Sequence, residues 1–189
     1  MSNDWKDTMA FAEAFRRQLH ANPELSWQEH NTATAIRAQL DELRIPWREC
    51  AGTGTLATIN PDGTTPAIAL RGDIDALPIN EQTGKEWQST RSGCMHACGH
   101  DGHTATLLAA ARWLKLHEQD LERKIVLLFQ PAEEGGHGAR EMIADGALDD
   151  VSEIYGWHNW PALPYGTMAC PDDLVMCGNG TFKITLTGR

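Results

Sequence analysis

The chain has 189 residues and a formal net charge of −10, from 26 acidic and 16 basic side chains. This acidic balance argues against nucleic acids and anionic membranes as partners. Apolar residues make up 41% of the sequence, which is enough for a sizeable core. The sequence contains no run of about 18 apolar residues, so it predicts no membrane-spanning helix. The five cysteines lack a regular framework spacing and the amino end lacks a signal peptide, so we expect a cytoplasmic protein with reduced thiols.

The amino-terminal part predicts two helices. Apolar residues recur at helical spacing between positions 4 and 20, and Pro23 ends this helix because a proline disfavours helical conformation in the residue before it. Ser26 and Glu29 have the S-x-x-E spacing of a capping box, which predicts a second helix running to about Leu43. We interpret both helices as packing elements.

The sequence after Pro46 alternates between predicted strands and helices. The runs "WREC", "GTLATIN" and "PAIALRG" predict strands, with a turn at 60–63. "TATLLAAARWLKLHEQ" predicts a helix, "KIVLLFQ" is typical of a strand buried on both faces, and a helix near 138–146 and the strand "EIYGW" follow. This order predicts an α/β fold, a layered and mainly parallel sheet with helices on both faces.

Three predicted buried strands end in side chains that can bind metals. Asp73 and Asp75 follow the first, Glu133 and Glu134 follow the second, and His158 follows the third. Open α/β sheets build their sites at the carboxyl ends of their strands. Because burying so many carboxylates without a cation would be costly, the pattern predicts a metal site.

The loop "SGCMHACGHDGHTA" at 92–105 adds further donors. Cys98 and His100 flank a glycine, and an extended or tightly turned backbone places both on one side. The alternative is a local zinc site closed by Cys94, Cys98, His100 and His103, which would leave the strand-end carboxylates without a role.

Several neighbouring residues have open roles. Asp101 either caps the helix that follows or supports a metal ligand. His158, taken alone, is also compatible with a hydrogen-bonded core histidine. The roles of His96, His103 and His137 are open.

Glu133 and Glu134 suggest a division of labour. Consecutive residues in extended backbone point to opposite sides, so one carboxylate would bind metal while its neighbour acts as general base on water. The alternative is a pair of surface glutamates at the start of a helix.

Five segments together resemble the M20 metallopeptidase family, in the branch of hippurate hydrolase, the N-acyl-amino-acid amidohydrolases and the auxin-conjugate hydrolases. They are "RRQLHANPELSWQE", "LRGDIDALPI", "MHACGHDGHTA", "LLFQPAEEGGHGA" and "GWHNWP". The resemblance implies a zinc-peptidase-like catalytic domain interrupted by a smaller lid domain. Residues 1–178 would be the amino-terminal part of the catalytic domain. Residues 179–189, "NGTFKITLTGR", which alternate as a half-exposed strand does, would be the first lid strand, with the remainder lying beyond.

The resemblance also implies site residues and cofactors. Cys98, His100, Glu134 and His158 would be metal ligands, Glu133 the catalytic acid/base, and Asp75 the carboxylate that orients a ligand. Complete enzymes of the family bind two divalent ions, zinc or manganese with cobalt or nickel as alternatives, and a thiolate ligand disfavours magnesium and calcium. Because the family's further histidine ligand is absent, we expect fewer ions in these 189 residues.

The function implied is hydrolysis of the amide bond of an N-acyl amino acid, by a metal-activated water with Glu133 as base. The partners would be a small N-acyl amino acid or dipeptide-like substrate and, in the complete enzyme, further copies of the chain, with no nucleic acid and no membrane. The alternatives are a truncated, non-catalytic metal-binding domain and a dipeptidase of the same family.

Overall fold

A computed structural model describes residues 3–175 and 182–188. The chain divides into two compact units, of which the first extends to Asn159 and the second begins at Trp160. In chain order the first unit contains α1 (Asn3–Ala21), α2 (His30–Glu42), β1 (Trp47–Cys50), β2 (Gly54–Ile59), β3 (Thr64–Asp73), α3 (His100–Leu116), β4 (Arg123–Gln130), α4 (Gly138–Ala144) and β5 (Val151–Gly156). The predicted order of helices and strands is confirmed over this range.

The second unit is described in two stretches. Residues 160–175 contain turns and bends, residues 182–188 have no regular structure, and neither stretch contains a helix or strand. A strand requires hydrogen bonds to a neighbouring strand, and the described part of the predicted lid strand makes none. Residues 179–181 and 189 of that strand lie outside the described residues, so the domain division at 178 stays a prediction.

The five strands form one mixed sheet in the order β1-β2-β4-β3-β5. The strands β4, β3 and β5 run parallel, whereas β1 and β2 pair antiparallel with each other and β2 pairs antiparallel with β4. The predicted α/β architecture is confirmed, and its parallel half is the part that carries the candidate site.

Helices cover both faces of the sheet, as predicted. Along β4, Ile125, Leu127 and Phe129 pack with residues of α1, α2 and α3, while Val126 and Leu128 pack on the opposite face near α4. The strand β4 is therefore buried on both sides. The prediction of three buried strands is wrong for β5, an edge strand exposed over most of its length. Within the described ranges every helix is too short or too polar to span a lipid bilayer.

Strand register brings three chain segments to one edge of the sheet. Asp73 pairs with Gln130 across β3 and β4, and Arg71 pairs with Gly156 across β3 and β5. The last residues of these strands and those that follow them lie at this edge, and they include all the strand-end donors predicted from the sequence.

The predicted capping box at the start of α2 is wrong. The helix begins at His30, and the carboxylate of Glu24 accepts the N–H of Thr32 at 2.8 Å and of Asn31 at 3.3 Å. These are two of the backbone donors that a helix leaves without internal partners. Ser26 and Glu29 make contacts elsewhere, at the candidate site. The S-x-x-E spacing is the same in both arrangements, so the local sequence cannot distinguish them.

We predict that Glu24→Ala lowers the free energy of unfolding by ~1–2 kcal/mol, because it leaves the first turn of α2 without its acceptor. Urea denaturation measures the change. Glu42→Ala, at the exposed carboxyl end of α2, is the control and should change stability by less than about 0.5 kcal/mol. Equal losses in the two variants would contradict the capping role.

Candidate metal centre

His100 lies at the centre of the candidate site. It is the first residue of α3 and is fully buried. Its Nδ1 lies 3.3 Å from Oδ1 of Asp75, the geometry of an N–H donated to that carboxylate. Its buried Nε2 makes no hydrogen bond, although Oε2 of Glu133 and Oε1 of Glu134 each lie 3.8 Å away. A histidine in this state presents one lone pair to the space between two carboxylates.

The two glutamates lie in a turn, which corrects the prediction that they point to opposite sides. The preceding residue, Ala132, has φ of +49°, so the backbone bends immediately after Pro131. Both carboxylates consequently reach the same atom of His100. They differ in exposure, since the side chain of Glu133 is 40% exposed and that of Glu134 is 23% exposed.

Cys98 and His158 also lie next to His100. The Cys98 sulfur is 3.5 Å from Nε2 of His158, and Nδ1 of His158 is 2.6 Å from the Asn159 carbonyl oxygen. Because Nδ1 donates its proton to that carbonyl, Nε2 carries the lone pair of the neutral ring. This lone pair faces the Cys98 sulfur. Donor atoms of Cys98, His100 and His158 all lie within 4.8 Å of one another, as do those of His100, Glu133 and Glu134.

Asp75 joins His100 to the backbone that carries the two glutamates. Besides contacting His100, it accepts the backbone N–H of Glu133 and of Glu134, each at 3.0 Å, and the Ser26 hydroxyl at 2.6 Å. Burial raises the pKa of Asp75, but these hydrogen bonds and the one from His100 outweigh it and the net pKa is lowered. The structure thus gathers all six residues named from the sequence as ligands, base or orienting carboxylate.

Sequence reasoning missed a second buried pair, Asp73 and His103. Oδ1 of Asp73 lies 2.6 Å from Nδ1 of His103, and Oδ2 accepts from Arg71 at 2.8 Å. On its other side His103 contacts Asn159. The spacing of His100 and His103, three residues apart on a helix, was the available signal because such residues share a face. Nothing in the sequence marked Asn159.

The acidic groups of the site fall into two classes, those whose pKa is lowered and those whose pKa is raised. Burial raises the pKa of Asp73, but His103, His100 and Arg71 lower it to about 2 overall. The pKa of Glu133 is instead raised, by burial and by the charges of Asp73 and Glu134. Burial and the neighbouring Glu134 raise the pKa of the Cys98 thiol to about 12. The Cys98 thiolate therefore requires a nearby positive charge in order to form.

The alternatives left open by the sequence can now be decided. Cys94 is buried but lies in none of the donor groups among the described residues, so the local zinc loop is not formed. Asp101 does not cap α3: it is buried in the first turn, where it accepts from Arg16 at 3.1 Å and lies 2.9 Å from Nδ1 of His20.

The two remaining histidines lie outside the donor groups as well. His96 is buried, and neither of its ring nitrogens has a hydrogen-bond partner. His137 is exposed at the start of α4.

The donor set fits a divalent cation. Nε2 of His100 and Oε1 of Glu134 are both buried without a hydrogen-bond partner. Buried polar atoms normally have one, and an unsatisfied carboxylate oxygen is especially costly. Four carboxylates, from Asp73, Asp75, Glu133 and Glu134, surround His100. A cation would satisfy the orphan atoms and offset the repulsion among the carboxylates.

We predict that Gly99→Ala weakens metal retention on the order of tenfold, the range seen when residues that orient ligands are changed. Gly99 has φ of +96°, and a Cβ there would overlap the side-chain oxygen of Asn159, next to His158. Gly93→Ala is the control, since Gly93 also has positive φ (+75°) but open space around the added atom. Titration with cobalt(II) measures the affinity, and equal affinities of the two variants would contradict the steric role.

Comparison with known proteins gives consistent matches. Residues 69–175 match the model of Peptidase family M20/M25/M40. N-acetyl-L-cysteine deacetylase of Bacillus subtilis is 47% identical over 175 residues, covering 92% of this chain and 42% of that protein. IAA-amino acid hydrolase ILR1-like 5 of Arabidopsis thaliana is 42% identical over 175 residues, covering 92% of this chain and 40% of that protein.

A solved structure agrees with these matches. The YxeP protein of Bacillus subtilis, named a dinuclear metal binding peptidase from the M20 family, superimposes with a TM-score of 0.81 at 44% identity. The match covers 85% of this chain and 46% of that one. The chain thus spans less than half the length of these relatives. By the family model and by these relatives, the chain belongs to Peptidase family M20/M25/M40.

Proposed function

We propose that the chain is part of a metal-dependent amidohydrolase that cleaves the amide bond of N-acyl amino acids. The observation that carries this proposal is the buried, unpartnered Nε2 of His100, which faces Glu133 and Glu134 beside Cys98 and His158. The names of the relatives support the substrate class, since a deacetylase of N-acetyl-L-cysteine and a hydrolase of IAA-amino acids both separate an acyl group from an amino acid.

Cys98, His100, Glu134 and His158 would hold the metal, two divalent ions per complete enzyme. A thiolate in the donor set disfavours magnesium and calcium and suits a softer ion such as zinc, cobalt or nickel, and the family resemblance adds manganese as a candidate. When bound, such ions supply Lewis acidity that polarises the amide carbonyl and lowers the pKa of water. Four donors are few for two ions, so residues 1–189 alone are proposed to retain fewer than two. Elemental analysis of the purified chain tests this stoichiometry.

Glu133 is proposed as the general base. Its carboxylate is the more exposed of the pair and reaches the same point as that of Glu134, so it can meet both a water and a substrate amide. Oε2 would accept the proton of the attacking water and then deliver it to the leaving amine nitrogen. Asp75 would hold His100 in the tautomer that turns Nε2 towards the metal.

The substrate and the oligomeric state are proposed from the resemblance, and the compartment is proposed from the cysteines and the amino-terminal sequence. The substrate would be a small N-acyl amino acid, and the complete enzyme would be a homo-oligomer in the cytoplasm. The four cysteines among the described residues are all free thiols, which supports a reducing compartment.

A substrate panel tests the proposal on the full-length protein loaded with zinc or manganese. N-acetyl-L-cysteine, N-benzoyl amino acids, indole-acetyl amino acids and unmodified dipeptides are compared by the amino acid that each releases. We expect turnover of the acylated amino acids. Turnover of dipeptides alone would point to a dipeptidase. Absence of turnover with a full metal complement would indicate a non-catalytic metal-binding domain.

We predict that Glu133→Gln retains metal and loses a factor on the order of 10²–10⁴ in kcat, because the amide keeps the shape of the side chain and removes the base. Elemental analysis and steady-state kinetics measure the two quantities on one preparation. A near-normal kcat at full metal content would remove Glu133 from the mechanism.

We predict that Cys98→Ser weakens metal retention more than Cys94→Ser or Cys170→Ser does. Of these three residues only Cys98 lies in a donor group, and thiolate binds soft divalent ions better than hydroxyl. Metal content after dialysis ranks the variants. The largest loss at Cys94 would return the local zinc loop to consideration.

A further inference from the structure

Carboxylates of other segments bind the start of the turn that carries Glu133 and Glu134. The N–H groups of three consecutive residues are bound in this way. Ala132 donates to Oε1 of Glu29 at 2.8 Å, Glu133 to Oδ1 of Asp75 at 3.0 Å, and Glu134 to Oδ2 of Asp75 at 3.0 Å. Side-chain acceptors therefore satisfy every backbone donor of this short segment that leads into the two glutamates.

The linker between α1 and α2 supplies or supports all of these contacts. Within it, Glu29 binds Ala132 directly, and the Ser26 hydroxyl donates to Oδ2 of Asp75 at 2.6 Å. Trp27 donates from Nε1 to the carbonyl oxygen of Gly136 at 3.1 Å, at the far end of the turn. We call Ser26, Trp27 and Glu29 the linker clamp.

The linker clamp is itself fixed in place. The Ala76 N–H donates to the Glu24 carbonyl at 2.8 Å, which sets the start of the linker alongside the chain at Asp75. Glu29 is fully buried, and its second oxygen accepts from the Thr53 hydroxyl at 2.7 Å. A buried carboxylate bound at both oxygens has one orientation, so it can impose that orientation on the residue it contacts.

Two backbone hydrogen bonds close the turn, from Gly135 to the Glu133 carbonyl at 2.7 Å and from Gly138 to the Ala132 carbonyl at 3.1 Å, but the turn is strained at Ala132. Ala132 has φ of +49°, in the left-handed region that residues with a Cβ rarely adopt. Strained conformations of this kind persist only where the surroundings over-determine them. The contact from Glu29 falls on this residue, immediately before Glu133.

The contacts between the linker and the turn are also close-packed. A Cβ added at Gly136 would lie 2.6 Å from Cβ of Ala132 and 2.9 Å from Nε1 of Trp27. Trp27 and Ala132 therefore leave no room for a side chain at position 136.

We propose that the linker clamp is a positioning device for the metal centre, with Glu29 as its principal residue. It sets the direction of the Glu133 and Glu134 carboxylates relative to His100 by holding the backbone that carries them. Glu29 touches neither substrate nor metal and acts through Ala132. The kinetic part of this inference rests on the proposed function, whereas its structural part does not.

The test compares Glu29→Ala with Glu24→Ala in the full-length protein. Both carboxylates are buried in the same linker, but Glu24 binds the start of α2 and makes no contact with the turn. Both changes should lower stability. Glu29→Gln is the rescue variant, because its amide oxygen can accept from Ala132 and its amide nitrogen can donate to Thr53.

Three readouts separate positioning from a general structural role. Hydrogen exchange of peptides covering 131–136 should accelerate in Glu29→Ala and remain unchanged there in Glu24→Ala. The cobalt(II) absorption spectrum should change only in Glu29→Ala, because Glu134 shifts. At a temperature where all variants are folded, kcat should fall on the order of tenfold to a hundredfold in Glu29→Ala, with KM within about threefold. Glu29→Gln should resemble the wild type in all three.

The outcomes decide between this inference and its alternatives. Unchanged exchange at 131–136, or an unchanged cobalt spectrum together with unchanged kcat, in Glu29→Ala would overturn it. If Glu24→Ala changed hydrogen exchange, the cobalt spectrum and kcat as much as Glu29→Ala does, the effect of Glu29 would be one of general stability and not of positioning. If the wild type hydrolyses no acylated amino acid, the proposed function fails while exchange and the cobalt spectrum still decide the role of the linker clamp.

Discussion

The crowding of carboxylates around one buried imidazole is the constraint on which the site depends. Asp73, Asp75, Glu133 and Glu134 all lie within 4 Å of the ring nitrogens of His100. Carboxylates gathered around one residue in a partly buried place repel each other, so each carboxylate needs donors or a cation nearby. The two aspartates are satisfied by the protein itself, through Arg71 and His103 for Asp73 and through backbone N–H groups and Ser26 for Asp75.

Sheet geometry creates this crowding. Because Asp73 pairs with Gln130 in neighbouring parallel strands, the residues after each strand leave the sheet at the same height. Asp75 then lies two residues beyond the end of β3, where it meets the N–H groups of the turn that follows β4. The amino end of α3 approaches the same edge and inserts His100 between them. Three elements far apart in the sequence thus build one site, because strand register aligns the ends of β3 and β4 and the start of α3 adds His100.

The sequence predicted the parts of the site that depend on strand ends and missed those that depend on tertiary contacts. Asp75, Glu133 and Glu134 could be placed because buried strands are recognisable and parallel strands end together. The role of Glu29 could not, since its contact with Ala132 joins residues 103 positions apart. The S-x-x-E spacing of Ser26 and Glu29 also matches a local capping motif, so the pattern gave a plausible and incorrect explanation.

The prediction that the two glutamates point to opposite sides was wrong for a different reason. Alternation of side chains holds only in extended backbone. The left-handed conformation of Ala132 carries no sequence signature, because such conformations are expected at glycine and asparagine. The same limit applies to Asn159, whose contacts with His103 and close approach to Gly99 emerge only from the folded chain.

The ionisation of the site agrees with the fit of a cation among these side chains. Asp73 and Asp75 have lowered pKa values, so they stabilise the folded state above their ordinary pKa and lose that contribution as the pH falls through their folded values. Glu133 and Cys98 have raised pKa values, so ionising them destabilises the folded chain as the pH rises. The protein therefore neutralises its two aspartates with its own donors and leaves the glutamate and the thiol without them. A bound divalent ion would reverse the effect of ionising Glu133 and Cys98 on the stability of the folded chain. The ion would favour the ionised form of both side chains, so their protons would be released when it binds.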